Sequence, residues 1–495
     1  MEGPYALSLL AGASIILMAI VKLFKAPKLD HIPTVGSTTL PGSYWAGIKF
    51  IFAGYQVIQE GYTKHKTGAF KVATLTSWLV ILNRNHSEDI IKASEDSLSF
   101  YEASTHTLQT EHTLGPEIRH NHYHISLIRS QLTRNLASLF PHMRDEFTVA
   151  FSELLDLKGN EWKSVPVYST VRKIVCRTSH RVIVGLPLCR DRDWNELGLT
   201  YMSDIFKEIM ILRLIPRVLV PSLAKYVTKL TKRNSATAQY LNRIIAERRK
   251  AQGDSKEWTD KPCDFLQFLL DEGKETSVEQ LAQRIMALNI SSIHTSSTIL
   301  AQALHHLAAN PNYAQLLREE VEAVIHTDGW TKDAISKMYK VDSFLRETQR
   351  LDGFSAVPIR RRAMKDVTLS DGTIIPKGID VCIPGHAIHH DDDVYENPET
   401  FNPFRFVNVE DEEGGGNTRN QMVAVHSEFL GFGLGKLACP GRFFAATMLK
   451  GILAHVVMSY DVKLEENATS ARCEYVGTAI LAHRSCNVMF RKRLN

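Results

Sequence analysis

The chain has 495 residues, of which 44% are hydrophobic and 23% are charged, so it has the composition of a globular protein with material for a large core. The formal net charge of +4 is too small and too dispersed to indicate nucleic-acid binding. The seven cysteines are odd in number and include no CxxC pair, which argues against a disulfide framework or a zinc site and favours a reducing compartment.

The N-terminal segment is far more apolar than the rest. Residues 5–24 read YALSLLAGASIILMAIVKLF, with Lys22 as the only charge, and about 20 such residues cross a bilayer as a helix. Lys25 and Lys28 follow the run and only Glu2 precedes it, which predicts that everything after the helix faces the cytoplasm. A cleaved signal peptide is the alternative, but it would need a basic stretch before the apolar run.

The remainder of the chain is predicted to be mainly α-helical with small β-sheets. Helical patterning dominates residues 125–350. Strand-like runs occur at 70–82 and at 357–383, where Gly372 and the Pro-Lys-Gly of 376–378 separate two short strands.

The longest predicted helix covers residues 277–309. Thr276 and Glu279 match a capping box at its start, and Asn310 followed by proline ends it, giving about 50 Å of helix. Its interior, SSIHTSST at 291–298, consists of mediocre helix formers whose hydroxyls can bond the carbonyl four residues earlier and open the ladder. Such a segment either holds a small polar molecule or packs on neighbouring helices through small residues.

Residues 432–442 read FGLGKLACPGR and are the most informative stretch of the chain. The glycines allow the backbone to approach something flat and bulky. A lone cysteine in such a loop can present a thiolate to a metal, stabilised by backbone N–H groups. The alternative is a buried cysteine in a glycine-rich turn.

This stretch resembles the haem-binding loop of the cytochrome P450 family, whose pattern is Phe-x-x-Gly-x-x-x-Cys-x-Gly. The resemblance implies bound haem b, with Cys439 as the axial ligand of its iron, and a thiolate in that position favours cleavage of the O–O bond. The fixed positions of the pattern are filled by Phe432, Gly435, Cys439 and Gly441.

Residues 291–296 fall on the family pattern of the helix that crosses the distal face of the haem. Thr295 matches the threonine that helps deliver protons to dioxygen, and His294 stands where the family usually has an acid. Imidazole can relay protons near neutral pH, so the resemblance implies a proton-handling role for both residues.

A Glu-x-x-Arg motif and a later arginine match the family in order and spacing. Glu347 and Arg350 are three residues apart and share a helix face. Arg405, in FNPFRF at 401–406, resembles the arginine that completes a buried triad with that motif. A carboxylate held by two guanidinium groups would have all its lone pairs satisfied.

Haem carries two carboxylates, which need cationic partners when they are buried. Arg361 matches the position where the family keeps such an arginine, although its neighbours Arg360 and Arg362 leave room for a shift by one residue. The family usually has Arg or His two residues before the cysteine, but here that residue is Leu437, and Lys436 is the substitute.

His124 and Arg129 resemble a family helix that offers Trp or His to the haem carboxylates, with an arginine four residues later. Here the spacing is five. The alternative is a solvated basic surface helix. On the substrate side, an apolar run precedes Arg361 and predicts a pocket that selects a lipophilic molecule by shape; it comprises Ala356, Val357, Pro358 and Ile359.

The resemblance implies a membrane-anchored monooxygenase of the microsomal type. Such an enzyme uses dioxygen and electrons from NADPH, delivered by a separate NADPH–cytochrome P450 reductase that would dock near Lys436 and Arg442. It would be a single-pass protein of the endoplasmic reticulum membrane with its catalytic domain in the cytoplasm. The expected organisation is an anchor over 1–25, a proline-containing linker and start of the body over 26–60, and a haem-thiolate catalytic domain over 61–495.

Two features resemble fungal biosynthetic members, which commonly oxidise terpenoid or mixed terpenoid scaffolds: the His-Thr pair and the run QLTRNL at 131–136. Two other functions stay open from the sequence. One is a haem-thiolate isomerase or dehydratase that acts without a reductase, and the other is a non-catalytic haem sensor.

Overall fold

The computed structural model describes residues 29–75, 77–216, 218–254, 258–275, 277–407, 418–466, 468 and 473–493. The anchor expected over 1–25 lies outside the described residues. The described helices, in chain order, are α1 Leu40–Lys64, α2 Ser87–Lys92, α3 Phe100–Leu108, α4 Thr110–Thr113, α5 Pro116–His120, α6 Tyr123–Leu127, α7 Leu136–Leu155, α8 Val167–Ile183, α9 Arg192–Arg213, α10 Val220–Val227, α11 Leu230–Asp254, α12 Phe265–Glu272, α13 Val278–Ala309, α14 Pro311–Asp328, α15 Lys332–Ser336, α16 Tyr339–Leu351, α17 Gly385–His389 and α18 Arg442–Ser459.

The strands are short, and the protein is mainly helical, as the sequence predicts. They are β1 Thr34–Val35, β2 Phe70–Ala73, β3 Trp78–Ile81, β4 Leu98–Ser99, β5 Lys163–Pro166, β6 Ile359–Ala363, β7 Val367–Thr368, β8 Ile374–Ile375, β9 Asp380–Ile383, β10 Tyr460–Leu464, β11 Cys473–Val476, β12 Ala479–Ala482 and β13 Asn487–Lys492. Four strands therefore lie in 357–383, where the glycine and proline signals indicated only two.

The strands form four small sheets. The largest has the order β1-β2-β3-β9-β6-β4, and the others are β10-β13-β5, β11-β12 and β7-β8. In the large sheet, β6 pairs antiparallel with β9, with Arg361 opposite Val381. This sheet carries one apolar core, and a second, larger core lies among the helices.

Helix α13 runs through the larger core, and the turns before and after its middle are buried. It begins one residue later than the capping box suggested. Ser277 is the N-cap, because its hydroxyl accepts hydrogen bonds from the N–H groups of Glu279 and Gln280. Thr276, the cap expected from the sequence, lies outside the described residues.

From residue 29 onward, the segment expected over 26–60 as a proline-containing linker and the start of the body packs against the large sheet. Leu29 and Ile32 are 2% exposed and belong to the sheet core, and β1 pairs with β2. Apolar burial therefore holds this stretch against the body. Within the described part of the chain, one helix is long and apolar enough to cross a membrane, α18, and 72% of its residues are buried inside the protein.

Candidate functional site

The loop before α18 folds back on itself so that Cys439 lies next to the start of the loop. The Cys439 N–H donates to the Phe432 carbonyl at 2.8 Å, which closes the loop. Gly433 and Gly435 have φ of +86° and +63°, values that favour glycine over residues with a Cβ. The glycines therefore set the path of the loop around the sulfur.

Backbone and cationic groups surround the Cys439 sulfur. Burial raises the pKa of the Cys439 thiol, whereas a hydrogen bond from the Gly441 N–H and the guanidinium groups of Arg442 and Arg129 lower it. The net direction is upward, because burial outweighs the backbone donor and the positive charges, which by themselves favour a thiolate. This combination suits a metal-ligating sulfur.

Strand alternation separates the three consecutive arginines of β6. Arg361 is 4% exposed and lies on the buried face, whereas its two neighbours point the other way. Arg360 donates to the Thr107 hydroxyl at 2.9 Å and Arg362 pairs with Asp380 at 2.7 Å. The pleat thus leaves Arg361 alone of the three on the inner face.

Arg361 is a buried cation without a carboxylate partner. Its Nη1 donates only to the carbonyl of Arg360, and its guanidinium lies 5.5 Å from the centre of the Phe100 ring. Burial lowers its pKa, with Glu95 acting in the opposite direction. Among the residues that the structure describes, no carboxylate lies within 4.0 Å of it. Such an unpaired buried charge is costly unless an anion joins it.

A π-helical segment begins between His124 and Arg129. His124 belongs to α6, whereas Ile128–Leu132 form the π segment directly after it and include Arg129. A π turn takes up about one residue more than an α turn. The helix that carries these two residues is therefore irregular at the point where the spacing departs from the family pattern.

The two residues have different partners. His124 is 8% exposed, and its Nδ1 lies 3.0 Å from Arg284 Nη1 on α13. Burial, and then the positive charge of Arg284, lower the pKa of His124 to about 3. The Nη2 of Arg129 donates at 2.9 Å to the carbonyl of Lys436, which ties this helix to the cysteine loop. The Lys436 side chain itself is exposed.

Glu347, Arg350 and Arg405 meet in one buried cluster. The carboxylate of Glu347 is fully buried and accepts bonds from Arg350 Nε at 2.7 Å and Nη2 at 2.9 Å. Arg405 Nε lies 3.1 Å from both carboxylate oxygens, and the Asn402 N–H adds a bond of 3.0 Å. The carboxylate therefore has several donors and no lone pair left for water.

The middle of α13 is continuous and not opened by its hydroxyls. Thr295 Oγ1 donates to the Ser291 carbonyl at 2.8 Å, and Thr298 Oγ1 donates to the His294 carbonyl at 3.0 Å. Ser291 is exposed, and Ser292, His294 and Thr295 are partly exposed. The helical turns before and after this stretch are buried. These side chains therefore border accessible space in the middle of the protein's longest helix.

His294 contacts two other helices. Its Nδ1 lies 3.2 Å from the Tyr168 hydroxyl on α8, and its ring packs edge-to-face on Phe206 of α9. Burial lowers the pKa of His294 to about 4, and the guanidinium groups of Arg172 and Arg484 act in the same direction. His294 is therefore neutral at physiological pH and can both accept and donate one hydrogen bond.

The apolar run before Arg361 is more deeply packed than a pocket wall. Ala356 and Ile359 are 1% and 2% exposed and belong to the core of the large sheet. Val357 is 8% exposed and Pro358 is partly buried. Within this run, Val357 and Pro358 are thus the residues with surface left to meet another molecule.

Comparisons with known proteins agree with this geometry. The family model for cytochrome P450 matches residues 69–481. The chain belongs to the cytochrome P450 family. It is similar to cytochrome P450 monooxygenase 151 of Postia placenta, with 39% identity over 98% of both chains. It is also similar to cytochrome P450 monooxygenase CYP512U6 of Ganoderma lucidum (33% identity, 97% and 95% coverage) and to ent-kaurene oxidase P450-4 of Gibberella fujikuroi (29%, 96% and 95%).

P450 monooxygenases are haem-thiolate oxidoreductases that use haem, dioxygen and electrons from a redox partner, and the residues present here fit haem. Cys439 offers a sulfur held by a backbone N–H, and Arg361 is a buried cation with no carboxylate partner among the described residues. These are the kinds of group that an iron and a haem carboxylate need as partners.

Two residues of this P450 that touch the site were missed by sequence reasoning. Tyr168 contacts His294 from a position 126 residues earlier, and Arg284 contacts His124 from 160 residues later. Neither belongs to a motif, and only the folded chain brings either pair together. The one sequence signal for Arg284 was an arginine among the apolar residues of a helix face, since an arginine that is buried there needs a partner.

Proposed function

We propose that this P450 is a membrane-anchored monooxygenase that oxidises a lipophilic substrate, with Cys439 as the axial ligand of haem b. The observation that carries the proposal is the partly exposed Cys439 sulfur, which accepts a backbone hydrogen bond and lies near two guanidinium groups in a glycine-rich loop. When haem is bound there, it supplies the reduction of dioxygen, and the electron-rich sulfur favours O–O cleavage.

Several residues would hold the haem carboxylates. Arg361 is the principal one, since it is buried and lacks another anion. His124 and Arg129 would act from the helix beside the cysteine loop. Lys436 contributes its backbone carbonyl to Arg129, which leaves its exposed side chain available at the protein surface.

Thr295 and His294 would manage protons beside the haem. The Thr295 hydroxyl is held by the Ser291 carbonyl, and it keeps a lone pair through which it can accept a bond from water or substrate oxygen. His294 stays neutral and is oriented by Tyr168, so it can pass a proton without carrying a lasting charge. The Glu347, Arg350 and Arg405 cluster would act structurally, beneath the cysteine loop.

Membrane attachment through residues 1–25 agrees with the apolar surface of the body. The segment from α9 to α10 exposes several large apolar side chains, and α1 exposes two more. Such clustered exposure typically marks contact with a membrane or a partner. These residues are Met210, Ile211, Leu214, Val218, Leu219, Leu223 and Tyr226, with Trp45 and Phe52 on α1.

The substrate class is supported by the apolar character of Val357 and Pro358 and by one relative's name. That relative is an ent-kaurene oxidase, and ent-kaurene is a terpenoid hydrocarbon. We therefore propose a terpenoid or mixed terpenoid intermediate of fungal secondary metabolism as substrate. Electrons would come from NADPH through a separate reductase that docks near Lys436 and Arg442.

The decisive experiment is the absorption spectrum of the reduced, carbon monoxide-bound protein. We expect the long-wavelength band of sulfur-ligated haem in the wild type and in Cys263→Ser, a control cysteine away from the loop, but not in Cys439→Ser. Histidine-type spectra in the wild type would contradict the proposal. Turnover of terpenoid substrates without NADPH and reductase would instead support an isomerase or dehydratase, and sulfur ligation without any turnover would support a sensor.

A further inference from the structure

A buried polar network connects the start of α13 to α6. Arg284 is 0% exposed and donates from Nε to Glu275 Oε1 at 2.8 Å. Its Nη1 donates to the Asn121 carbonyl and, at 3.0 Å, to His124 Nδ1. The Tyr123 hydroxyl donates to Glu275 Oε2 at 3.0 Å, and the guanidinium lies 4.7 Å from the centre of the Tyr123 ring.

This network determines which nitrogen of His124 carries the proton. A guanidinium is always protonated and can only donate, so Nδ1 of His124 must accept with its lone pair. The ring is neutral at physiological pH, because burial and the charge of Arg284 hold its pKa at about 3. The single ring proton is therefore on Nε2, and that nitrogen has no hydrogen-bond partner among the described residues.

The position of His124 relates this free donor to the cysteine loop. His124 lies on α6, which leads directly into the segment that carries Arg129, and Arg129 is bonded to the carbonyl of Lys436 in that loop. An N–H that faces a haem carboxylate strengthens the binding of the haem. The opposite tautomer would present a lone pair, which repels the carboxylate.

We propose that Arg284, held by Glu275, is a positioning residue that fixes His124 as an Nε2–H donor toward a haem carboxylate. Arg284 contributes no contact with the haem itself and acts only through the imidazole. This inference rests on the proposed function, because it requires haem bound at Cys439 next to His124.

The test compares variants by their rate of haem loss to an excess of a haem-accepting apoprotein and by the resonance Raman bending band of the haem carboxylates. The variant Glu275→Gln/Arg284→Gln removes both charges, so that no buried charge is left alone. Glu275→Gln/Arg284→Met, whose side chain offers no donor to Nδ1, is a second variant in case the first does not fold. Arg248→Lys is the control, since Arg248 is buried and pairs with Asp264 by two bonds of 2.6 Å but is not in contact with His124.

We expect haem loss to be about tenfold faster in Glu275→Gln/Arg284→Gln and in Glu275→Gln/Arg284→Met, with a shifted carboxylate band, because neither side chain obliges Nδ1 to accept and one hydrogen bond to a charged group is then lost. Arg248→Lys should match the wild type in both measurements. The variant His124→Gln places an amide N–H where Nε2 lies, so adding the Arg284 changes to it should have no further effect.

The inference is overturned if the Arg284 variants retain the wild-type band and rate, or if their effects add to that of His124→Gln. Failure of the proposed function has a different signature, namely the absence of a sulfur-ligated haem spectrum in the wild-type protein itself.

Discussion

The Glu347 carboxylate and the Arg405 guanidinium lie 3.1 Å apart, although the two residues are 58 positions apart in the sequence. Glu347 is on α16, whereas Arg405 belongs to the irregular segment that precedes the cysteine loop. Arg405 also donates from Nη1 to the Glu396 carbonyl at 2.6 Å. This pair therefore joins α16 to the part of the chain that precedes the cysteine loop.

Replacing Glu347 with Gln should strongly destabilise the protein, because two guanidinium groups would remain without their anion in a site that is almost dry. Breaking a buried set of this kind costs roughly 3–5 kcal/mol. Chemical denaturation, followed by far-UV circular dichroism, would measure the loss. The control is Glu60→Gln, which removes an exposed partner of Lys64 and should leave the midpoint unchanged. An unaltered midpoint for Glu347→Gln would show that the cluster is not structural.

Arg361→Gln should weaken haem retention, whereas Arg360→Gln should not. The two arginines are adjacent in sequence and carry the same charge, but only Arg361 is on the buried face of β6. We expect about tenfold faster haem transfer to a haem-accepting apoprotein for Arg361→Gln, from the loss of a charge-assisted hydrogen bond. Equal effects of the two substitutions would indicate a general role of positive charge.

Local patterns predicted much of this architecture. Strands within 357–383, a helix that carries Glu347 and Arg350, and the long helix up to Ala309 all agree with the sequence patterns and stop signals. The cap of α13 was placed one residue too early, because Thr276 and Ser277 are both good caps and only the bonds to Glu279 and Gln280 distinguish them.

Contacts between distant residues could not be predicted in the same way. The sequence favoured Arg361 but left room for a shift by one residue to Arg360 or Arg362, and the pleat of β6 separated the three. The spacing between His124 and Arg129 departs from the family pattern, and the π-helical segment that begins between them had no signal in the sequence. The partners Arg284 and Tyr168 have no sequence signature, since each depends on how helices far apart in sequence cross.

His455 should make the protein sensitive to mild acid. Its ring packs among Phe147, Phe151 and Tyr460, and burial, together with the charge of Arg144, lowers its pKa from 6.5 to about 4. Between these two values the unfolded chain binds more protons than the folded protein, so the free energy of unfolding falls as the pH falls through this window.

Replacing His455 with Phe should remove this sensitivity. Between pH 6.5 and pH 5, the free energy of unfolding should fall by roughly 2 kcal/mol more in the wild type than in His455→Phe, since one pKa unit corresponds to about 1.4 kcal/mol. Denaturation at the two pH values measures the difference. Substituting the exposed His326 by Phe is the control and should preserve the wild-type pH profile. Parallel profiles for wild type and His455→Phe would contradict the assigned burial effect.

Thr295→Ala should uncouple electron consumption from product formation. The Thr295 hydroxyl is partly exposed at the middle of α13, whereas that of Thr298, three residues later, is buried and bonded to the His294 carbonyl. Removing a positioned proton donor from the site should lower the product formed per NADPH by about tenfold or more while NADPH oxidation continues. Thr298→Ala removes the same atoms from the same helix and should reduce stability without changing this ratio. Thr295→Ser retains the hydroxyl and should restore coupling, whereas equal product yields from Thr295→Ala and the wild type would exclude a proton role for Thr295.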